Sequence, residues 1–422
     1  MIKLPYHTGH IDLDIENKYL TGVLESGADN FVPDGSETEI VERALDNPIG
    51  SDKLENLISG VKDMVIITSD HTRPVPSRVT LPIILKRVRG ANPGVNVTIV
   101  VATGTHRATA KDELALKFGE ETVRNERILI HDALDKANMV SLGRLGSGLK
   151  AEVNRAVVET DFLMAEGFIE PHFFAGFSGG RKSVFPGVAS LPCVMANHCA
   201  AYIADVNART GVLDDNPVHL EALEIAKRAG LKFILNVAID KNKRVIEAFA
   251  GHYDLAHRAG CGFVGKLSAV GKTPADIVIT TNGGYPMDQN LYQAVKGMTA
   301  AEATCNEGGV IVIAAGCADG VGGEGFHNIF KNAASPGELT ERIMKRGRAE
   351  TEPDQWQAQI LARVLEKFTV ILVSGYAEAA AVGDFFIAPA CDMDEALKMA
   401  RRMKGADATV TVIPDGVSVI VK

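Results

Sequence analysis

The sequence predicts an α/β protein of two domains, each with a mainly parallel sheet covered by helices. Three observations lead there. Short β-branched runs alternate with stretches of helical periodicity, glycine-rich or threonine-rich turns follow several strands, and the alternation restarts near residue 275. At 422 residues the chain exceeds the size over which one hydrophobic core keeps growing, so two domains are expected.

The first 60 residues are polar and mixed and carry only weak strand signals. Residues 64–68 are a β-branched run, followed by Ser69-Asp70-His71-Thr72-Arg73-Pro74, and residues 78–90 have helical periodicity. Residues 97–102 form a second strand that ends in Thr103-Gly104-Thr105-His106, and 109–119 read as its following helix. The second block opens with a strand at 275–280 and the turn Thr281-Asn282-Gly283-Gly284-Tyr285-Pro286, then a helix over about 288–303. A strand at 309–315 leads into Gly316, Gly320, Gly322, Gly323 and Gly325. Helices at 338–347 and 354–367, a strand at 368–373, a helix at 394–403 and a strand at 409–413 complete it. The Gly-Lys-Thr-Pro turn at 271–274 sets the boundary: residues 1–270 form the N-terminal domain and 271–404 a Rossmann-like α/β domain. Residues 405–422 are left the option of returning to complete the first domain.

Composition excludes several function classes. Apolar residues make up 46% and charged residues 23%, as in ordinary globular proteins. The net charge is -9 with no long basic run, which argues against broad nucleic-acid binding. The N-terminus lacks the basic-then-apolar pattern of a secretory signal, and no apolar run is long enough to span a membrane, so a cytoplasmic protein is expected. Cys193, Cys199, Cys261, Cys305, Cys317 and Cys391 form no CxxC pair and no compact zinc pattern, and are expected to be mostly buried thiols.

Folds of this class place their chemistry in loops beyond the carboxyl ends of the strands, where Asp70, Arg73 and His106 all fall. Residues 166–200 are the most informative stretch. Glycines interrupt the hydrophobic pattern there, while His172, Arg181, Lys182 and His198 could converge. Gly179 and Gly180 before Arg181-Lys182 suit close approach of an anionic group, although the spacing is neither a P-loop nor a dinucleotide fingerprint. His106, His172 and His198 are three of 11 histidines; pattern leaves metal ligation and acid–base chemistry both open for each.

The combination of Ser69-Asp70-His71-Thr72-Arg73-Pro74, Gly104-Thr105-His106-Arg107, Glu170-Pro171-His172, Gly179-Gly180-Arg181-Lys182, Asn197-His198 and Tyr292-Gln293-Ala294-Val295-Lys296 resembles the lactate racemase family of nickel-pincer-nucleotide enzymes. The resemblance spans nearly the whole chain. It implies a racemase of a small 2-hydroxy acid, with nickel and pyridinium-3,5-bisthiocarboxylic acid mononucleotide as cofactor, in a cleft between the domains. It assigns the covalent tether to Lys182 and the metal ligand to His198, with Asp70, Gly179, Gly180 and Arg181 as further cofactor contacts. His106 and His172 become the two bases that mirror-related substrates require. Arg73 is the carboxylate clamp, Lys296 the second cation, and Tyr292, Gln293 and Trp356 belong to the pocket wall. Implied partners are the substrate and the enzymes that build the cofactor, with a homodimer left open.

Lactate is favoured over a dicarboxylic acid such as malate because no additional arginine stands beside residues 292–296. A nicotinamide-dependent dehydrogenase would require a Rossmann fingerprint with a later acidic residue, and none is convincing. A non-enzymatic binder of a nucleotide or small acid would be compatible with the fold alone, but not with so many reactive groups in one region.

Overall fold

The computed structural model describes residues 1–422, the side chain of residue 379 apart. The chain divides into two compact units, one of residues 27–197 and 207–267, the other of 1–26, 198–206 and 268–422.

The first of these units is built on a six-stranded sheet in the order Val245–His252, Leu231–Ile239, Phe162–Phe168, Asp63–Ser69, Asn96–Ala102, Arg127–Ile130. All neighbours are parallel except the hairpin partners Leu231–Ile239 and Val245–His252. Side chains alternate between two cores. Met64, Ile66, Phe162 and Met164 enter one, and Val65, Ile67, Leu163 and Ala165 enter the other. With both faces covered, Phe162–Phe168 is buried at every position. Flanking helices carry sequence-encoded caps: Ser36 and Glu39 form a capping box at Glu37–Asp46, and Asn216 caps Pro217–Arg228.

Strand order reverses about Asp63–Ser69. The chain runs from it to Asn96–Ala102 and Arg127–Ile130 on one side, then to Phe162–Phe168 and Leu231–Ile239 on the other. A parallel sheet with such a reversal opens a crevice beyond the carboxyl ends of its central strands. The loops emerging there are 70–76, 103–110 and 169–187.

The other unit has a wholly parallel sheet in the order Ala388–Ala390, Thr369–Val373, Cys305–Ala314, Ala275–Thr281, Val410–Ile413, Leu20–Val23. Here the structure differs from the sequence expectation at both chain ends. Val410–Ile413 lies between Ala275–Thr281 and Leu20–Val23, so residues near 410 belong with the second sheet. The first 26 residues join it as well: Ile2–Tyr6 and Gly9–Leu13 form a hairpin, and Leu4 and Leu13 are buried among Ile277, Ile279, Val310 and Val312. The cause is pairing that local pattern cannot reveal. Leu20–Val23 is four residues long and alternates only between partly buried and exposed positions, and its partner is nearly 400 residues away.

The expected strands and helices between 63 and 118 and between 275 and 413 recur in the structure, with ends shifted by a few residues. Not anticipated were the hairpin of Leu231–Ile239 with Val245–His252 and the helices Pro217–Arg228 and Leu255–Ser268. Cys193, Cys199, Cys261 and Cys317 are buried. Among the described residues no helix is long and apolar enough to cross a membrane.

Ile279 is fully buried at the centre of the second sheet. Ile279→Ala is expected to destabilise that unit by about 2–5 kcal/mol. Denaturant unfolding followed by the fluorescence of Trp356 measures it, since the chain has one tryptophan and that residue lies in the same unit. A loss below about 1 kcal/mol would contradict the packing described.

Candidate active site

Asp70 is the first residue after its strand and is 1% exposed. Its carboxylate accepts the hydroxyl and amide of Thr72 at 2.7 and 3.2 Å, and its other oxygen lies 2.7 Å from Nδ1 of His106. Burial works to raise the Asp70 carboxyl. The hydrogen bond and charge of His106, the Arg73 charge and the Thr72 hydroxyl outweigh it and take the group down to about 2. An ionised carboxylate only accepts, so Nδ1 of His106 donates and the neutral ring keeps its lone pair on Nε2. Arg73 stands on the same loop, with one guanidinium nitrogen 2.9 Å from the Thr72 hydroxyl.

The 169–187 segment opens with a miniature hairpin, Pro171–His172 against Gly176–Phe177. It turns back so tightly that Gly176 has φ +79°, and a Cβ there would lie 2.1 Å from the Val212 carbonyl oxygen. Within it, Nδ1 of His172 accepts the Ala175 amide at 3.2 Å. The neutral His172 ring therefore carries its proton on Nε2, the opposite of His106. Phe173 stacks on the His172 ring, Phe174 meets it edge-on at 4.6 Å between centroids, and the amine of Lys182 lies 5.9 Å from the centre of Phe174. The amide of Gly187 donates to the Lys182 carbonyl, and the amide of Gly104 donates to the Gly187 carbonyl, which joins the His106 turn to the Lys182 turn.

Arg181 and the glycines before it face inward, which sequence pattern could not decide. Arg181 is fully buried and donates to the carbonyls of Ala175 at 2.8 Å and Gly179 at 3.2 Å, and its guanidinium lies 3.0 Å from Nε2 of His257, which itself stands 2.8 Å from the Ser178 carbonyl oxygen. Burial pushes its guanidinium down to about 10, so it remains charged. The Gly180 amide is taken by Asn236 Oδ1 at 2.7 Å. A Cβ on Gly179 would lie 2.8 Å from the Phe168 carbonyl oxygen, and one on Gly180 would meet the His257 ring at 2.7 Å. These glycines are required where the turn presses on the sheet and on His257.

The other unit carries a second group. His198, between the helices Leu191–Asn197 and Ala200–Ala204, is 6% exposed, with its ring edge-on to Trp356 at 5.0 Å. The Trp356 indole N–H donates to the Tyr292 hydroxyl at 3.2 Å, and the Gln357 amide donates to the Tyr292 carbonyl. Gln359, one turn along, holds the Ala200 carbonyl at 2.9 Å. Tyr292, Gln293 and Lys296 share the helix Leu291–Glu302, capped by Asn290 through the Gln293 amide. The buried Gln293 Oε1 has no hydrogen-bond partner among the described residues, which leaves an acceptor for a polar ligand. Gln357 and Gln359 escaped the sequence reading. Their signal is the run Gln355-Trp356-Gln357-Ala358-Gln359, polar yet wholly buried.

The structure thus joins Asp70 with His106 directly and with Arg73 through the Thr72 hydroxyl, and His172 with Lys182 through Phe174, in one unit. It joins His198, Trp356 and Tyr292 in the other, with Gln293 and Lys296 on the Tyr292 helix. Among the described residues no three His, Cys, Asp or Glu side chains cluster to hold a metal. A metal at His198 would take its remaining donors from a bound group, as a sulfur-bearing nucleotide provides. Lys182, partly exposed on the turn Gly180–Ser183, carries a primary amine of the kind that can form a covalent link.

Residues 6–211 match the description Lactate racemase N-terminal domain, and residues 270–421 match Lactate racemase C-terminal domain. The chain is 53% identical to the lactate racemase of Thermoanaerobacterium thermosaccharolyticum and 48% identical to that of Lactiplantibacillus plantarum, covering 100% of this chain and 99% of each relative. The solved lactate racemase apoprotein from T. thermosaccharolyticum superposes with a TM-score of 0.96 over 100% of this chain and 99% of its own. A Thermotoga maritima protein of 19% identity shares the fold, with a TM-score of 0.68 over 93% of this chain and 100% of its own. With both domains matched and full-length identity of this order, the chain belongs to the lactate racemase family.

Proposed function

We propose that this protein interconverts D- and L-lactate in the cytoplasm, using a nickel-pincer nucleotide tethered to Lys182 and ligated through nickel by His198. Family membership supports the isomerase class, and the opposite proton placement of His106 and His172 carries the mechanistic reading. The bound group, supplied by separate cofactor-building enzymes, would accept the C2 hydrogen together with its electron pair and give it back.

His106 takes the hydroxyl proton of one enantiomer on Nε2, and Asp70 balances the imidazolium that forms. Loss of the C2 hydrogen leaves a planar 2-keto acid, whose two faces are open to return. His172 presents an Nε2–H to the oxygen of the opposite enantiomer and hydrogen-bonds the alkoxide left when hydrogen returns to that face; the proton held by His106 reaches that oxygen through solvent, which leaves both rings neutral. Arg73 pairs with the substrate carboxylate through its planar fork. Lys296, Tyr292, Gln293 and Trp356 are assigned to the same substrate by the family pattern. Phe173 and Phe174 shield the His172 ring and the Lys182 amine from water.

Intact-mass and nickel analysis of protein made together with the cofactor-building enzymes tests the proposal. A mass increment on Lys182 with bound nickel is expected, and both covalent increment and turnover should vanish in Lys182→Ala. An unmodified mass without nickel, when a positive control is loaded, overturns it. In the loaded enzyme, His106→Ala and His172→Ala should each lower racemisation by about 10²–10⁴-fold, read by chiral assay from both enantiomers.

Asp70 also gives a stability signature. Its folded carboxyl, at about 2, lies below the ordinary value of 3.8, so the stability it contributes is present above the unfolded value and is lost as pH falls toward the folded one. The difference in unfolding free energy between wild type and Asp70→Asn should shrink by roughly 2 kcal/mol between about pH 5 and about pH 2. Denaturant titrations across that range measure it, and a pH-independent difference would refute the Asp70–His106 interaction as drawn.

A further inference from the structure

Glu166 is a fully buried carboxylate near the carboxyl end of the strand Phe162–Phe168. Three hydroxyls donate to it: Thr68 at 2.5 Å, Thr80 at 2.6 Å, and Ser77 at 3.1 and 3.2 Å to its two oxygens. Thr68 lies two residues before Asp70, and Ser77 and Thr80 form the first turn of the helix Ser77–Ala91, directly after the Asp70–Arg73 loop. Glu166 therefore fixes both ends of that loop, and the positive end of the helix dipole adds to its hold.

The middle of the loop has its own anchor. Lys117, on the helix Lys111–Phe118, sends its amine to the Arg73 carbonyl oxygen at 2.8 Å. Its stem is partly exposed and its amine is the buried end; burial pushes that amine down to about 8, while Glu166 and Asp70 pull it up and Arg73 pulls it down. A lysine used only for surface charge would not be drawn into a site with two buried carboxylates to reach one backbone oxygen. None of these groups is needed to touch a substrate or cofactor.

We infer that Lys117 and Glu166 are positioning residues: a three-point brace that sets the 70–76 loop so that Arg73 presents its guanidinium to the substrate carboxylate. The inference rests on the reading of Arg73 as the carboxylate clamp. It predicts a defect that falls first on substrate binding, because Lys117 meets the loop at the Arg73 backbone while Asp70 keeps its own hold on His106.

The test compares Lys117→Met, Lys117→Arg, Thr80→Val and Arg73→Ala in the cofactor-loaded enzyme, with hydrogen–deuterium exchange of the apoprotein as a readout independent of turnover. Lys117→Met should raise KM for lactate roughly tenfold with kcat changed less than about twofold, and Lys117→Arg, which keeps charge and donor, should restore KM. Amides of residues 70–76 should exchange faster in Lys117→Met, while the strands at 63–69 and 96–102 stay protected. Thr80→Val removes one hydroxyl from Glu166 at similar volume and should show the same split, so the outcome does not depend on Lys117→Met folding. Unchanged KM and unchanged exchange in these variants, with KM raised in Arg73→Ala, overturn the brace and leave the clamp standing. An unchanged KM in Arg73→Ala overturns the clamp, and with it the functional role assigned to the brace.

Discussion

A guanidinium sealed inside the protein, with no carboxylate bonded to it among the described residues, organises the segment that carries His172 and Lys182. Removing such a charge from water is expensive unless its donors find acceptors, and the two terminal nitrogens of Arg181 find theirs in the carbonyls of the very turn that delivers it, while its buried Nε is left unpaired among the described residues. The turn must therefore close around the guanidinium for the charge to be buried at all. That closure requires the left-handed glycines at 176, 179 and 180 and the Asn236 side chain that takes the Gly180 amide. Lys182 is the next residue, and it is partly exposed where Arg181 is fully buried. The small hairpin that contains Ala175 also supplies the amide that fixes the proton on His172. One buried cation thus sets the Lys182 turn and the His172 imidazole together.

The two histidines show how neighbouring backbone and side chains can give identical rings different chemistry. A carboxylate beside Nδ1 draws the proton of His106 inward, and an amide beside Nδ1 of His172 pushes it outward. Neither arrangement depends on a bound ligand, so the asymmetry is a property of the folded chain.

Much of this was legible in the sequence where local pattern and tertiary outcome agree. The β-branched runs at 64–68, 97–102 and 275–280 are central parallel strands, and a residue placed just beyond such a strand, like Asp70 or His106, falls at the crevice. The pattern was silent where burial is two-sided. Phe162–Phe168 contains a glutamate and a glycine and carries no clear strand pattern, and the three hydroxyls around its carboxylate become visible only in the fold. It was silent too about direction: Gly179-Gly180-Arg181-Lys182 reads as an anion cradle, yet Gly180 and Arg181 are buried in packing and Lys182 is partly exposed. Leu20–Val23 is held by a partner at the far end of the chain, and no local window contains that information.

The position of the single tryptophan has a practical meaning. Trp356 is 8% exposed and lies edge-on to His198, so its indole emission arises beside the imidazole assigned to nickel. A transition-metal ion at that imidazole would sit close enough to an excited indole to drain its energy. With no other indole to dilute the signal, occupancy of the site could be followed by light in real time and without a label.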